Sequence, residues 1–180
     1  MPIVRDKKIE VLFSADDIAR RNNELAEEIA LGDLKNLVVI SILKGSFVFA
    51  ADLIRALHAA GLAPEVEFIS VSSYGAGTEP GELKLLRDVE TDVTGRDVLL
   101  IDDILESGNT LKFTRDRMIE RGAARVAIVA LLDKSMKRKT DVKADYVGFE
   151  CPDKFVVGYG MDVGHAFREL PFVGVVTGET

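Results

Sequence analysis

The sequence predicts an α/β fold, a mainly parallel sheet flanked by helices, with a small hood subdomain built from the terminal segments. Three observations predict it. Apolar runs at residues 37–43, with only Ser41 polar, at 98–101, and at 126–132 within the strand 125–132 match strands buried on both faces, as in parallel sheets. Helix-like segments alternate with these runs, which gives the strand–helix rhythm of α/β proteins. Beyond residue 145, short strand-like runs follow one another without helices, and these suit a hood. At 180 residues, the whole chain reads as one domain with room for a sizeable core.

Taken in order, residues 8–13 read as a short strand. Ser14 then caps a helix, with Asp17 supporting its start and Ile18, Leu25 and Ile29 on one face. The run 37–43 is broken by Lys44-Gly45-Ser46, and 47–60 reads as a helix ending at Gly61. Residues 65–72 form the next strand. From about residue 74 to 83, Gly75, Gly77, Pro80 and Gly81 mark a mobile loop, because strand-like sequence resumes at 83–89. Residues 92–96 turn into the central strand, 97–101. A helix over 111–121 ends at Gly122, a buried strand spans 125–132, and a basic loop covers 134–143. Short strands at 145–149, 155–159 and 172–176, together with the N-terminal segment, supply the hood.

Composition narrows the function classes. A net charge of −7 disfavours a general nucleic-acid binder, which needs a basic face for phosphates. An acidic enzyme can still take an anionic substrate if its pocket is locally basic or a divalent cation supplies charge. Cys151 is the only cysteine, so an intrachain disulfide and a CxxC metal site are excluded, and a thiol-tolerant, cytoplasmic compartment is expected. The first residues lack a signal-peptide core, and no apolar run approaches the length that spans a membrane.

The most informative stretch is Val98-Leu99-Leu100-Ile101-Asp102-Asp103-Ile104-Leu105-Glu106-Ser107-Gly108-Asn109-Thr110-Leu111. A buried strand ends in two carboxylates, a short loop follows, and a helix begins; α/β proteins place ligands at such carboxyl ends. The corner Ser107-Gly108-Asn109-Thr110 offers backbone N–H groups, hydroxyls and a helix N-terminus, which suit a phosphate. Asp102 and Asp103 would repel that phosphate, so they suit sugar hydroxyls or a bridging cation. Together these groups imply a phosphorylated sugar. Other phosphate sites do not fit: no G-x-x-x-x-G-K-[ST] occurs, and Gly158-Tyr159-Gly160 is followed by Val163 where a dinucleotide fingerprint needs glycine. A receiver domain would carry its acid pair on the first strand. Lys44-Gly45-Ser46, at another strand-to-helix turn, lets backbone approach an anion closely.

The acid-pair run resembles the phosphoribosyl-diphosphate (PRPP) motif of type I phosphoribosyltransferases: a hydrophobic strand, two acids, two apolar residues, an acid, Thr or Ser, Gly, any residue, Thr. A second stretch, Pro152-Asp153-Lys154-Phe155-Val156-Val157-Gly158-Tyr159-Gly160-Met161-Asp162, resembles the hypoxanthine-guanine branch of that family more than the adenine or orotate branches. The resemblance runs from about Lys8 to Val176. It implies the type I phosphoribosyltransferase fold, PRPP and a 6-oxopurine as substrates, Mg²⁺ as cofactor, no nucleic-acid or membrane partner, and a homodimer or homotetramer.

Site roles follow from the same resemblance. Asp102 and Asp103 would hold the ribose hydroxyls and, with Asp162, Mg²⁺. Ser107, Gly108, Asn109 and Thr110 would bind the 5′-phosphate. Lys44, Gly45 and Arg168 would meet the pyrophosphate, from a loop whose Leu-Lys peptide is often cis in purine enzymes of this family. Lys134 would read the 6-oxo group, Phe155 would stack on the base, and Lys154 and Val156 would line its edge. Ser73 and Tyr74 would head a lid that excludes water. Glu106 would act as proton acceptor, although the family usually has Asp there; Glu keeps the charge and extends it by one methylene. A xanthine-guanine enzyme and, from a different class, a non-catalytic nucleotide- or RNA-binding regulator on the same fold stay open at this stage.

Overall fold

In a computed structural model that describes residues 1–73 and 82–179, the chain forms ten strands and three α-helices among those residues. The first half holds β1 (Ile3–Val4), β2 (Lys7–Phe13), α1 (Ala15–Leu31), β3 (Val38–Leu43), α2 (Phe47–Ala59), β4 (Glu65–Ser73) and β5 (Leu83–Arg87). The second half holds β6 (Asp97–Leu105), α3 (Asn109–Glu120), β7 (Arg125–Asp133), β8 (Tyr146–Glu150), β9 (Val156–Val157) and β10 (Val173–Glu179).

Six strands form the main sheet in the order β5-β4-β3-β6-β7-β8, parallel throughout except at the β4–β5 pair. Their apolar runs are continuous because both faces are covered. Val39, Leu99, Ile101, Val129 and Leu131 pack beneath α1 and α2, whereas Val38, Ile40, Val98, Leu100 and Ile128 pack with Leu111 and Met118 of α3. Alternate side chains of one strand point to opposite faces, so each strand feeds both cores. The Ser14 hydroxyl accepts the Asp17 N–H at 3.1 Å, and Asp16 and Asp17 sit where the helix dipole favours negative charge.

A second, antiparallel sheet has the order β1-β2-β10-β9 and is made from segments far apart in the chain. Its core is Ile9, Val157, Phe167 and Leu170. The Phe13 and Phe149 rings stack at 4.3 Å and join it to the main sheet.

Three expectations need correction. The central strand does not stop at Ile101 but continues through Leu105, because β7 keeps pairing with it to Leu105↔Asp133. The 145–149 strand belongs to the main sheet and not the hood: β8 pairs in parallel with β7, and the Arg21 guanidinium on α1 donates to the Val147 and Gly148 carbonyls at 2.8 and 2.9 Å. The 155–159 strand is only two residues long, since Gly158 and Gly160 turn the chain with φ of +95° and +98°. Among the described residues no helix is long and apolar enough to cross a membrane.

Candidate active site

The strand order reverses between β3 and β6, since β3 leads through α2 to β4 on one side and β6 through α3 to β7 on the other. Open α/β sheets have a crevice at the carboxyl ends of such a pair. Here β3 stops pairing with β6 at Ser41↔Ile101, four residues before the β6–β7 ladder ends at Leu105↔Asp133. Asp102 and Asp103 therefore stand on a strand with one edge free, fixed by the ladder on the other.

One pocket, of about 280 Å³, lies in this crevice and is lined by Gly45, Asp102, Asp103, Glu106, Ser107 and Thr110, among others. Asp102 is 8% exposed and carries no ion pair among the described residues. Burial pushes its carboxyl well above the usual range, and the neighbouring Asp103 charge adds to that. Burial also raises Asp103, against the opposing pull of the Arg168 charge. Each carboxylate accepts the next backbone N–H, Asp103 to Asp102 at 3.0 Å and Ile104 to Asp103 at 2.8 Å. Facing them is the Leu43–Lys44 turn, whose peptide is cis. A Cβ on Gly45 would lie 2.0 Å from Asp103 Oδ2, so only glycine fits this approach. Ser46 Oγ donates to the Ile42 carbonyl and lies 2.8 Å from the buried Ser41 hydroxyl, which fixes the turn from behind. Gly108 has φ of +86° and opens α3, where a Cβ would strike Thr140 Oγ1 at 2.2 Å. The N-terminus of α3, with the Ser107 and Thr110 hydroxyls beside it, is thereby aimed into the pocket, a geometry suited to a phosphate.

A second pocket, of about 230 Å³, is lined by Asp103, Ile104, Glu106, Lys134, Lys137, Phe155, Val156, Met161 and Asp162. It shares Asp103, Ile104 and Glu106 with the first. Lys134 is 6% exposed and its Nζ lies 3.7 Å from Glu106 Oε1. Phe155 is 65% exposed and offers a free ring face, while Val156 is held by its pairing with Val175.

The structure brings most of the predicted residues together. Asp102, Asp103, Gly45, Glu106, Ser107, Gly108 and Thr110 line the first pocket, and Lys134, Phe155, Val156 and Asp162 the second. Asn109 is exposed at the start of α3, and Lys44 is exposed beside Gly45. Arg168 is tied to the Gly160 carbonyl at 2.6 Å and to Asp162 at 3.2 Å. Lys154 does not line the second pocket; its ammonium lies 3.5 Å from Glu10 on β2, which draws the side chain outward. Ser73 ends β4, and Tyr74 with the rest of the expected lid to residue 81 lies outside the described residues.

Sequence reasoning passed over three residues. Arg138 donates to the Glu106 carbonyl at 3.0 Å and to Val142 at 2.7 Å, and also meets Asp133, so it braces the loop from behind. Lys137 lies 3.6 Å from Glu106 and 3.0 Å from Asp153. Gly160 packs on the Gly45 carbonyl, which a Cβ would meet at 2.4 Å. The two basic residues were hidden in a run of similar charges, and Gly160 lay in a glycine pair weighed only as a dinucleotide fingerprint, although two glycines so close were a signal for the turn found there.

The three acids expected at the metal do not close into one protein-only cluster; among the described residues no group of three such ligands does. Asp162 is engaged by the His165 N–H at 2.8 Å and by Arg168. Asp102 and Asp103 are hard oxygen donors with open pocket beside them. That set fits Mg²⁺, which commonly takes one or two carboxylates and completes its shell with water and substrate phosphate oxygens.

A switch-point crevice carrying a paired-acid strand and a helix N-terminus suited to phosphate fits an enzyme that works on a phosphorylated sugar, and residues 10–163 match the phosphoribosyl transferase domain family. The chain belongs to that family. It is 44% identical over 179 residues to a hypoxanthine-guanine phosphoribosyltransferase of Aquifex aeolicus, covering 98% of this chain and 99% of that one. It is also 44% identical to the enzyme of that name from Bacillus subtilis, over 92% of each chain. A crystal structure of a hypoxanthine phosphoribosyltransferase from Staphylococcus aureus superposes with a TM-score of 0.88 at 41% identity, covering 96% of this chain and 92% of that one.

Proposed function

We propose that the protein is a purine-salvage enzyme that transfers the 5-phosphoribosyl group of PRPP to hypoxanthine and to guanine, giving IMP or GMP and pyrophosphate. The observation that carries this reading is the pair of pockets meeting at Asp103, Ile104 and Glu106. One suits a phosphorylated sugar and the other a flat base, so the shared wall lies where the two substrates must be joined. The names of the relatives support the same substrates.

In the reaction, the sugar C1–oxygen bond to the diphosphate breaks and that oxygen leaves with the electron pair. A bond forms from the purine imidazole nitrogen to C1, and the proton on that ring passes to Glu106, which acts as general base. Asp102 and Asp103 hold the ribose hydroxyls and stabilise the positive charge that develops on the sugar. Ser107 to Thr110 fix the 5′-phosphate, while Lys44, the Gly45 backbone and Arg168 take up the charge of the departing pyrophosphate. Mg²⁺ would be held by Asp102, Asp103 and Asp162, directly or through water, and would neutralise the diphosphate and ease its departure. Lys134 donates to the 6-oxo group and Phe155 stacks on the ring. The proposed setting is a cytoplasmic homodimer or homotetramer, whose size gel filtration measures.

Pyrophosphate release from PRPP with hypoxanthine, guanine, xanthine and adenine tests the reading. Adenine presents an amino donor to the Lys134 donor, and an unpaired buried polar group costs about 1–3 kcal/mol. Hypoxanthine and guanine should turn over, adenine should not, and EDTA should stop the reaction until Mg²⁺ is restored. Comparable use of adenine would overturn the 6-oxopurine reading, and dominance of xanthine over hypoxanthine would favour a xanthine-guanine enzyme.

A further inference from the structure

We infer that Lys137 is a positioning residue for Glu106, holding the longer carboxylate of this chain at the purine pocket. The inference rests on the reading of Glu106 as proton acceptor. Glu106 follows the last residue of β6 and has a side chain 41% exposed to solvent. A glutamate there has one more rotatable bond than an aspartate, so it has more side-chain freedom to lose before it can face the base.

Two ammonium groups converge on the same oxygen. Lys134 Nζ approaches Glu106 Oε1 at 3.7 Å from the end of β7, and Lys137 Nζ approaches it at 3.6 Å from the turn beyond. Lys137 is itself anchored, at 3.0 Å from Asp153 Oδ1, in the turn that leads to Phe155. Its ammonium therefore hangs between the two walls of the base pocket, which it also lines. The hydrogen bond and charge of Asp153 raise its pKa, so it stays protonated in the working range.

The division of labour follows from the contacts. Once a purine enters, Lys134 must turn a donor to the 6-oxo group, and Lys137 remains as the group that keeps Glu106 in place. An aspartate at 106 would withdraw the carboxylate by roughly 1.5 Å, about one C–C bond, and leave Lys137 beyond ion-pair reach. Lys137 thus belongs with the glutamate in this chain and would keep only Asp153 as partner with the shorter acid.

A double-mutant cycle tests this, read by single-turnover rate with PRPP and hypoxanthine and by the separate KM values. In the Glu106 background, Lys137→Gln should slow the chemical step about three- to fivefold, the range expected for a partly exposed ion pair, with KM for PRPP unchanged. Lys137→Arg should recover most of the rate, and Asp153→Asn should lower it about twofold. In the Glu106→Asp background, Lys137→Gln should change the rate by less than about 1.5-fold. Equal effects in both backgrounds, or none in either, would overturn the inference. Glu106→Gln separates the two levels: a slow Gln variant with an additive cycle removes Lys137 alone, whereas a Gln variant of normal rate removes both Lys137 and the proton-acceptor reading. Lys137 is half-exposed, so these variants should fold, and unchanged melting confirms that the rates report on the site.

Discussion

The two walls of the cleft are built in opposite ways. On the side proposed for the sugar phosphate, close glycine approaches set the shape: Gly45 lies against the Asp103 carboxylate, Gly160 packs on the Gly45 carbonyl, and Gly108 turns beside the Thr140 hydroxyl. On the side proposed for the purine, Glu106, Lys137 and Phe155 are long or exposed side chains, two of them fastened by ion pairs that water can reach. Backbone shape cannot be adjusted by small side-chain changes, and exposed side chains can. The difference teaches that the first pocket is rigidly specified here, while the second, apart from the buried Lys134, is open to drift.

The sharpest way to break this contrast is Gly45→Ala. The added methyl must displace either the pyrophosphate turn or Asp103, and a misplacement of about 1 Å can cost about 10²-fold in rate. Steady-state kinetics should show kcat/KM for PRPP falling by about 100-fold or more with the far-ultraviolet circular dichroism unchanged. A loss under threefold would mean that the sugar-phosphate wall is as adjustable as the other.

Phe155→Ala probes the opposite wall and should do much less. Stacking on an aromatic ring is worth about 0.5–1.5 kcal/mol, so KM for hypoxanthine should rise roughly two- to tenfold while kcat and KM for PRPP hold. Because the ring is 65% exposed, melting should not change. A fall in kcat equal to the rise in KM would show that the base wall positions the reaction and does not merely hold the ring.

The smallest effect concerns stability. Burial raises Asp102 and Asp103, so the folded protein keeps protons that the unfolded chain has released. Stability must then fall as pH rises from the ordinary carboxylate value, about 3.9, toward the raised folded values, and it stays lower above them. Asp88 works in the opposite sense: the hydrogen bond from Arg117 lowers its pKa, and its contribution is lost only in acid below the ordinary value. In EDTA and without substrate, Asp102→Asn should raise Tm above neutral pH by about 2 °C or more, the shift that ~1 kcal/mol gives at this size. A lower Tm in that variant would mean that the charged pair stabilises the cleft it shapes.

Much of this was legible in the sequence. Apolar runs located β3, β6 and β7 because burial on both faces leaves few polar positions, and the spacing of Asp102, Asp103, Glu106 and Gly108 marked residues that the fold brings to one pocket. The end of β6 was not legible: two acids read as a strand terminus, and only the ladder to β7 carries the strand on to Leu105. The sheet membership of β8 was hidden for a similar reason, since pairing partners are set by tertiary contacts and not by local pattern. Lys154 was placed at the base from its position in the motif, but Glu10, far away in sequence, draws it outward. Lys137 and Arg138 looked like solvated charge until their partners, Asp153 and the Glu106 carbonyl, were in view.

The pairing of the antiparallel sheet also bears on how the molecule is made. Val156 and Val157, which hold the purine wall, pair with β10, and β2 pairs with β10 and with the two-residue β1. A ribosome delivers β3, β6 and α3 well before β10, so a nascent chain can bury its acid pair against β7 while the purine wall still lacks the strand that supports it. Completion of the second pocket waits for seven residues, Val173–Glu179, translated after every other described strand.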